Sequence, residues 1–128
     1  MSDGWSNDSR PVEELIWRLS GFSGGTTVAF DLAGPYAATA SVRYFEMWRI
    51  GRDPALCQFV VPGHETSVSR VHAQLNFVPG TGISINDLNS GNGTYLNGER
   101  LIGGARHVLQ IGDTLRLGHF TLSVSHPC

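Results

Sequence analysis

The most telling absence in this chain is lysine, since all 9 basic residues among its 128 are arginine. Without lysine the chain has neither a P-loop lysine nor a Schiff-base lysine, which excludes two classes of enzyme site. Cysteine is scarce as well, and its two copies share no metal-ligand or redox spacing. Cys57 lies in an apolar stretch, which is typical of a small buried residue. The sequence therefore predicts no metal site and no cofactor.

Long hydrophobic runs are also absent, and no stretch approaches the length of a membrane span. Residues 1–10 are polar and include two acidic residues, which is unlike a signal peptide. We therefore expect a cytoplasmic protein. The net charge of −2 provides no overall field that would attract nucleic acid or a membrane surface. Any site for an anion must consequently be local.

What the sequence does contain is an abundance of turns between short apolar runs. Its 16 glycines favour an all-β architecture, and the hydrophobic fraction of 41% is ordinary for a folded domain. Turn signals recur at intervals of about 8–12 residues, a spacing typical of a sandwich or barrel. The predicted strands are residues 26–32, 41–50, 57–61, 72–78, 82–88, 94–96, 107–110, 114–117 and 120–124.

The first 25 residues differ from the remainder and are predicted to form an N-terminal extension, followed by one domain over residues 26–128. Residues 1–10 are polar and turn-rich, as in a mobile tail. A short helix is expected to follow, because proline opens it, apolar residues fall on one face, and glycine ends it. The residues of this pattern are Pro11, Val12, Leu15, Ile16, Leu19 and Gly21. Such a helix would pack on its own domain or dock a partner.

Four polar signals stand where apolar runs begin or end, so we expect them on loops between strands. They are Gly51-Arg52, Ser69-Arg70-Val71-His72, Asn92-Gly93-Thr94 and Asn97-Gly98. Arginine, hydroxyl groups and uncovered backbone amides are the donors that hold a phosphate group. Loops at one end of a sandwich can converge on one ligand. The pattern therefore indicates a phosphopeptide site.

In these residues the chain resembles the forkhead-associated (FHA) domain family over residues 26–124. The family pattern is Ile-Gly-Arg, then Val-Ser-x-x-His, then Asn-Gly-Thr, then Asn-Gly. Here it reads Ile50-Gly51-Arg52, Val68-Ser69-Arg70-Val71-His72, Asn92-Gly93-Thr94 and Asn97-Gly98. Each piece alone is common, whereas four in order at family-like separations are specific.

The resemblance implies an 11-stranded β-sandwich that binds phosphothreonine peptides through loops at one end. Carried over to this chain, Arg52 would contact the phosphate, as would the Ser69 hydroxyl and the Arg70 backbone amide. Asn92 would hold the peptide main chain. An architectural role is implied for the remaining motif residues: Gly51, His72, Gly93, Thr94, Asn97 and Gly98. The partner would be a phosphothreonine protein of a Ser/Thr kinase pathway.

One position departs from the family pattern. Many members carry threonine or serine before Asn-Gly-Thr, and its hydroxyl also binds phosphate, whereas this chain has Gly91. The Arg70 side chain either compensates as a second phosphate ligand or points to solvent. The departure keeps open an alternative function, a module for phosphorylation-independent interaction or self-association.

The same residues are also compatible with other roles. Arg52 could be a surface arginine paired with Asp53 or Glu65, and Ser69 could cap a turn. Ser69 and His72 could suggest a nucleophile and its base, but nothing supplies an orienting carboxylate. The sequence therefore predicts a binding module without enzymatic activity.

Overall fold

The computed structural model describes residues 16–33, 47–78 and 82–126. These residues form eleven β-strands and no helix. The strands are β1 (Ile16–Ser23), β2 (Thr26–Ala33), β3 (Met47–Gly51), β4 (Phe59–Val60), β5 (Ala73–Val78), β6 (Gly82–Asp87), β7 (Thr94–Leu96), β8 (Glu99–Arg100), β9 (His107–Val108), β10 (Thr114–Leu117) and β11 (Phe120–Ser125). Within the described ranges, accordingly, there is no helix that could cross a bilayer.

The strands form two sheets, which confirms the predicted 11-stranded sandwich. One sheet has the order β2-β1-β11-β10-β7-β8, and the other has the order β4-β3-β5-β6-β9. All neighbours are antiparallel except β3 and β4, which run parallel. Long-range pairing of this kind fixes the positions of the loops that leave the strand ends.

The core lies between the sheets and follows the two-residue period of the strands. In β3, Trp48 and Ile50 are buried, while Met47 on the opposite face is exposed. The Phe59 ring of β4 stacks on Trp48 and on Phe30 of β2, with centroids 6.2 and 5.0 Å apart. Because β3 is held by these contacts, the loop that follows Gly51 starts from a fixed point.

The predicted N-terminal helix is wrong for residues 16–19, which lie in β1, while residues 11–15 fall outside the described ranges. All eight residues of β1 pair with β2, and β1 also pairs with β11. A Cβ at Gly21 would overlap the backbone carbonyl oxygen of Thr121. Gly21 therefore permits close approach of two strands and does not end a helix.

The predicted domain division between residues 25 and 26 stays a prediction, and it falls at the hairpin that joins β1 to β2. This hairpin turns at Gly24 and Gly25, which have φ values of 59° and 84°. Both values are those of a two-residue turn that suits the twist of paired strands. Residues 16–23 therefore lie in the same sheet as residues predicted to belong to the main domain.

Candidate functional site

The site begins where β3 ends, at Gly51 and Arg52. Gly51 is buried, and a Cβ there would overlap the Arg70 carbonyl oxygen and lie 2.9 Å from the Val71 Cα. The Arg52 amide donates to the Ser69 carbonyl at 3.2 Å, and the Asp53 amide donates to the Arg70 carbonyl at 3.0 Å. Glycine is therefore required for the β3–β4 loop (52–58) to lie against the β4–β5 loop (61–72).

The Arg52 side chain is held by one nitrogen, and its other nitrogens have no partner among the described residues. Its Nε donates to the Val68 carbonyl oxygen at 2.5 Å, and the residue is half-buried. Among the described residues it forms no ion pair with Asp53 or Glu65, in contrast to the surface-arginine alternative. Its two Nη groups therefore remain available as charged donors beside the β4–β5 loop.

Ser69 and Gly91 join the β4–β5 loop to the β6–β7 loop (88–93). The Gly91 amide donates to Ser69 Oγ at 3.0 Å. Because Oγ accepts this bond, the Ser69 hydroxyl hydrogen remains able to donate outward. Gly91 is exposed and its φ is not positive, and a Cβ there would meet only Ser69 Oγ, at 3.9 Å. Glycine is thus not required at this position by the backbone or by its neighbours.

Asn92 forms a second link between the same two loops. Its Nδ2 donates to the Ser67 carbonyl at 2.9 Å, and its side chain is exposed. Ser67 Oγ in turn accepts the His119 amide at 2.8 Å, and Gly118 packs so closely on Ser67 that a Cβ would overlap its carbonyl oxygen. The turn between β10 and β11 therefore supports the site from behind.

His72 is buried and spans the two loops with both ring nitrogens. Nδ1 accepts the Ser69 amide at 3.0 Å, so Nε2 carries the proton and donates to the Gly93 carbonyl at 2.9 Å. Burial lowers the pKa of His72, and the Gly93 carbonyl and Asp87 only partly oppose that shift. The neutral ring therefore fixes the position of Ser69 relative to Gly93.

Asp87 organises the β6–β7 loop from within. Its Oδ1 accepts the hydroxyls of Ser90 at 2.5 Å and Thr94 at 2.6 Å, while its Oδ2 accepts the Ser90 amide at 3.0 Å. Burial, the largest influence, would raise the pKa of Asp87, but these donors and His72 together lower it. Ser90 Oγ also accepts the Gly93 amide at 3.0 Å, and Gly93 has a φ of 88°. The loop is consequently closed on itself by hydrogen bonds to Asp87 and Ser90.

Asn97 and Gly98 form the turn between β7 and β8, away from the loop contacts. Their φ values of 52° and 89° are those of a two-residue turn. The Asn97 side chain donates to Asp113 at 3.0 Å and accepts the Thr114 amide at 2.9 Å. These residues therefore connect β7 to the start of β10 and supply no group to the loops.

Arg70 is exposed, and its carbonyl accepts the Asp53 amide and the Cys57 thiol, the latter at 3.2 Å. Cys57 is buried, as expected, and burial raises the pKa of its thiol. Within the described residues, the Arg70 amide has no protein acceptor. That amide is thus a further donor next to Ser69.

The structure therefore brings together Arg52, Ser69, Arg70, Gly91 and Asn92. A guanidinium group, a hydroxyl and a backbone amide are concentrated at one end of the sandwich, an arrangement suited to a divalent anion. In the described ranges no three His, Cys, Asp or Glu side chains are placed to hold a metal ion.

The sequence motifs assign no supporting role to Val68, Ser67 or Gly118. Val68 and Ser67 act through backbone carbonyl oxygens, which every residue carries, so no side-chain pattern marks this role. Gly118 lies in the turn between β10 and β11 and outside the four motifs. Its closeness to Ser67, 51 positions earlier in the chain, follows from the sheet topology alone.

Comparison with known proteins gives a family match and one curated relative. The family model described as the FHA domain matches residues 48–118. Over 51 residues the chain is 47% identical to Protein FraH of Nostoc sp. (strain PCC 7120), which covers 40% of this chain and 17% of FraH. The chain therefore spans only a small part of that relative's length.

Solved structures agree with the family match. One is an FHA domain from a structural and functional study of phosphothreonine-dependent FHA domain interactions. It is 27% identical with a TM-score of 0.61, over 88% of this chain and 98% of that chain. Another is the N-terminal FHA domain of S. cerevisiae Rad53p in complex with a phosphothreonine peptide. It is 22% identical with a TM-score of 0.67, over 88% of this chain and 93% of that chain. Since the family match covers more than half of the chain and the fold agrees, the chain belongs to the FHA-domain family.

Proposed function

We propose that this chain is a phosphothreonine-peptide-binding adaptor that recruits partners in Ser/Thr kinase signalling in the cytoplasm and performs no catalysis. The observation that carries the proposal is the half-buried Arg52, whose Nη groups have no acidic partner among the described residues and whose Nε binds the carbonyl of Val68, the residue before Ser69. The proposal is supported by two solved FHA domains whose descriptions refer to phosphothreonine.

Each proposed contact follows from the donors that the loops leave available. A phosphate monoester carries about −1.5 to −2 charges at neutral pH and three acceptor oxygens. Arg52 supplies the charge, while the Ser69 hydroxyl and the Arg70 amide supply directed donors. Asn92 uses one Nδ2 hydrogen on Ser67, which leaves its carbonyl oxygen for the peptide main chain. By its resemblance to the family, the pocket should prefer phosphothreonine to phosphoserine.

A fluorescence titration with a phosphothreonine peptide library tests the proposal. Arg52→Ala should weaken binding by at least about 2 kcal/mol, roughly 30-fold, because hydrogen bonds to a charged group are lost. Ser69→Ala should weaken it by about 1 kcal/mol, roughly fivefold. Arg106→Ala is the matched control, since Arg106 is exposed and lies in the β8–β9 connection. Equal affinity of wild type and Arg52→Ala would refute the assignment.

Gly91 is the observation that favours a second candidate, a phosphorylation-independent interaction or self-association module. With no side chain at this position, one hydroxyl donor common in the family is missing. Binding of a partner that survives both phosphatase treatment and Arg52→Ala would support this candidate. Light scattering of the purified chain measures self-association directly.

A further inference from the structure

A cleft of about 400 Å³ opens on the outer face of the six-stranded sheet, beside the β4–β5 loop. Its lining includes Ser20 and Phe22 of β1, Thr121 of β11, and Glu65 and His119 from the adjoining connections. Gly21, in the middle of β1, also lines it and contributes no side chain. The cleft therefore combines aromatic rings and hydroxyl groups with a single carboxylate, that of Glu65.

The Glu65 carboxylate is held in place by a buried hydroxyl. Ser23 Oγ donates to Glu65 Oε2 at 2.5 Å and lies 2.7 Å from His64 Nε2. Since the one hydroxyl hydrogen of Ser23 is directed to Glu65, His64 Nε2 is the donor to Ser23 Oγ. Ser23 is buried in the β1–β2 hairpin, so the carboxylate is fixed to that hairpin.

Glu65 has no arginine partner among the described residues. Its nearest basic group is the His64 imidazole, at 3.7 Å from Oε2, and its side chain is only 21% exposed. A partly buried carboxylate is expected to be paired. Phe22, a residue that is 74% exposed, lines the same cleft. A carboxylate beside an open aromatic ring is the environment that a guanidinium or ammonium group prefers.

Ser67 links the cleft to the proposed phosphate site through two hydrogen bonds. The Ser67 carbonyl binds Asn92 of that site, and its hydroxyl binds the His119 amide at the cleft. Glu65 precedes Ser69 by four positions, and four residues of extended chain span at most about 14 Å. An extended peptide that places its phosphate at Ser69 can therefore reach Glu65 within about five residues.

We propose that this cleft binds an arginine or lysine side chain of the same phosphopeptide, two to five residues from the phosphothreonine, with Glu65 as its counter-ion and Phe22 against its cationic group. This inference rests on the proposed function and adds the class of peptide that the site selects.

The test walks a single arginine through alanine-based phosphothreonine peptides, from five residues before to five residues after the phosphothreonine. At positions on one side, arginine should strengthen binding about three- to tenfold over alanine. Glu65→Gln keeps an acceptor for Ser23 and should abolish that gain, while binding of the all-alanine peptide changes less than twofold. The matched control is Glu99→Gln, which removes the same charge from exposed β8 and should preserve the gain.

Amide NMR shifts of the wild-type protein give an independent measurement that requires no variant. The arginine peptide should shift the Gly21, Thr121 and Ser123 amides, and its citrulline analogue should not. Suppose that the phosphopeptides bind in an Arg52-dependent way, but that a peptide arginine does not strengthen binding, or strengthens it equally in Glu65→Gln. The cleft assignment is then overturned, while the proposed function stands. If no phosphopeptide binds in an Arg52-dependent way, the proposed function falls and this inference falls with it.

Discussion

Gly91 offers the sharpest test of the phosphate site, because the structure leaves room for the hydroxyl that the position lacks. Its φ is not positive, and the only heavy atom near a built Cβ is Ser69 Oγ, at 3.9 Å. Threonine can therefore be introduced without moving the backbone. Its hydroxyl would stand beside that of Ser69, where we place a phosphate oxygen.

The expected change in binding free energy for Gly91→Thr is the sum of two opposing contributions. A hydrogen bond to a charged acceptor contributes about 1.5–3 kcal/mol. Fixing the threonine side chain costs about 0.5–1 kcal/mol. The net gain for Gly91→Thr is about 1–2 kcal/mol, so the phosphopeptide should bind about 5- to 30-fold more tightly.

Isothermal titration with one phosphothreonine peptide measures this change. Gly91→Val is the matched control, because valine has nearly the shape of threonine and no hydroxyl. We expect Gly91→Val to bind within about threefold of wild type, because valine adds no hydrogen-bond donor. The backbone freedom lost on replacing glycine is the same in both variants, so it cancels when threonine is compared with valine. If threonine and valine give the same affinity, the phosphate does not lie beside Gly91, and the proposed site geometry is incorrect.

Two further predictions concern the residues that hold the loops. Because burial lowers the pKa of His72 below 6.5, the unfolded chain takes up this proton at a higher pH than the folded chain. The His72 contribution to stability is therefore complete above pH 6.5 and decreases as pH falls from 6.5 toward the folded pKa. Urea unfolding at pH 7.5 and 5.5 measures this loss. The difference in the free energy of unfolding between the two pH values should be smaller in His72→Gln than in wild type. Gly51→Ala should lower the free energy of unfolding by about 2 kcal/mol or more, because the added Cβ overlaps the Arg70 carbonyl. Gly63→Ala, with no heavy atom within 4 Å of its Cβ, should be nearly neutral in the same denaturation assay, and equal losses would contradict the packing argument.

Strands with clear alternation and glycine or proline at their ends were predictable from the sequence, as β7 and β10 illustrate. β1 was not, because its inward positions include Gly21 and the polar Ser23, while Ile16 and Leu19 also fit a helical period. Strand β8 has two exposed polar residues and thus no hydrophobic signal. What decided these elements was pairing with distant strands, which local patterns do not record.

The candidate binding residues could be predicted from the sequence, because side chains such as Arg52 and Ser69 belong to motifs that follow one another in a fixed order. The contacts that hold these side chains in place could not be predicted, because Arg52 and Asn92 bind backbone carbonyl groups, which every residue has. The cleft at Glu65 could not be predicted from the sequence for a different reason. Its carboxylate is fixed by Ser23, and the strand that places Ser23 was itself not predicted.

Hydrogen-bond capacity separates the supporting residues from those proposed to bind ligand. His72 uses both ring nitrogens and Asp87 both carboxylate oxygens within the protein. In the part of the chain that the structure describes, the two Arg52 Nη groups and the Ser69 hydroxyl hydrogen have no partner, although the same network holds both side chains. Ordering a backbone residue costs about 1–2 kcal/mol. Because these loops are already hydrogen-bonded to one another, their ordering occurs during folding and does not weaken the binding of a ligand. A peptide of the proposed kind would lose mainly its own freedom on binding, and so a few charged donors would suffice for its recognition.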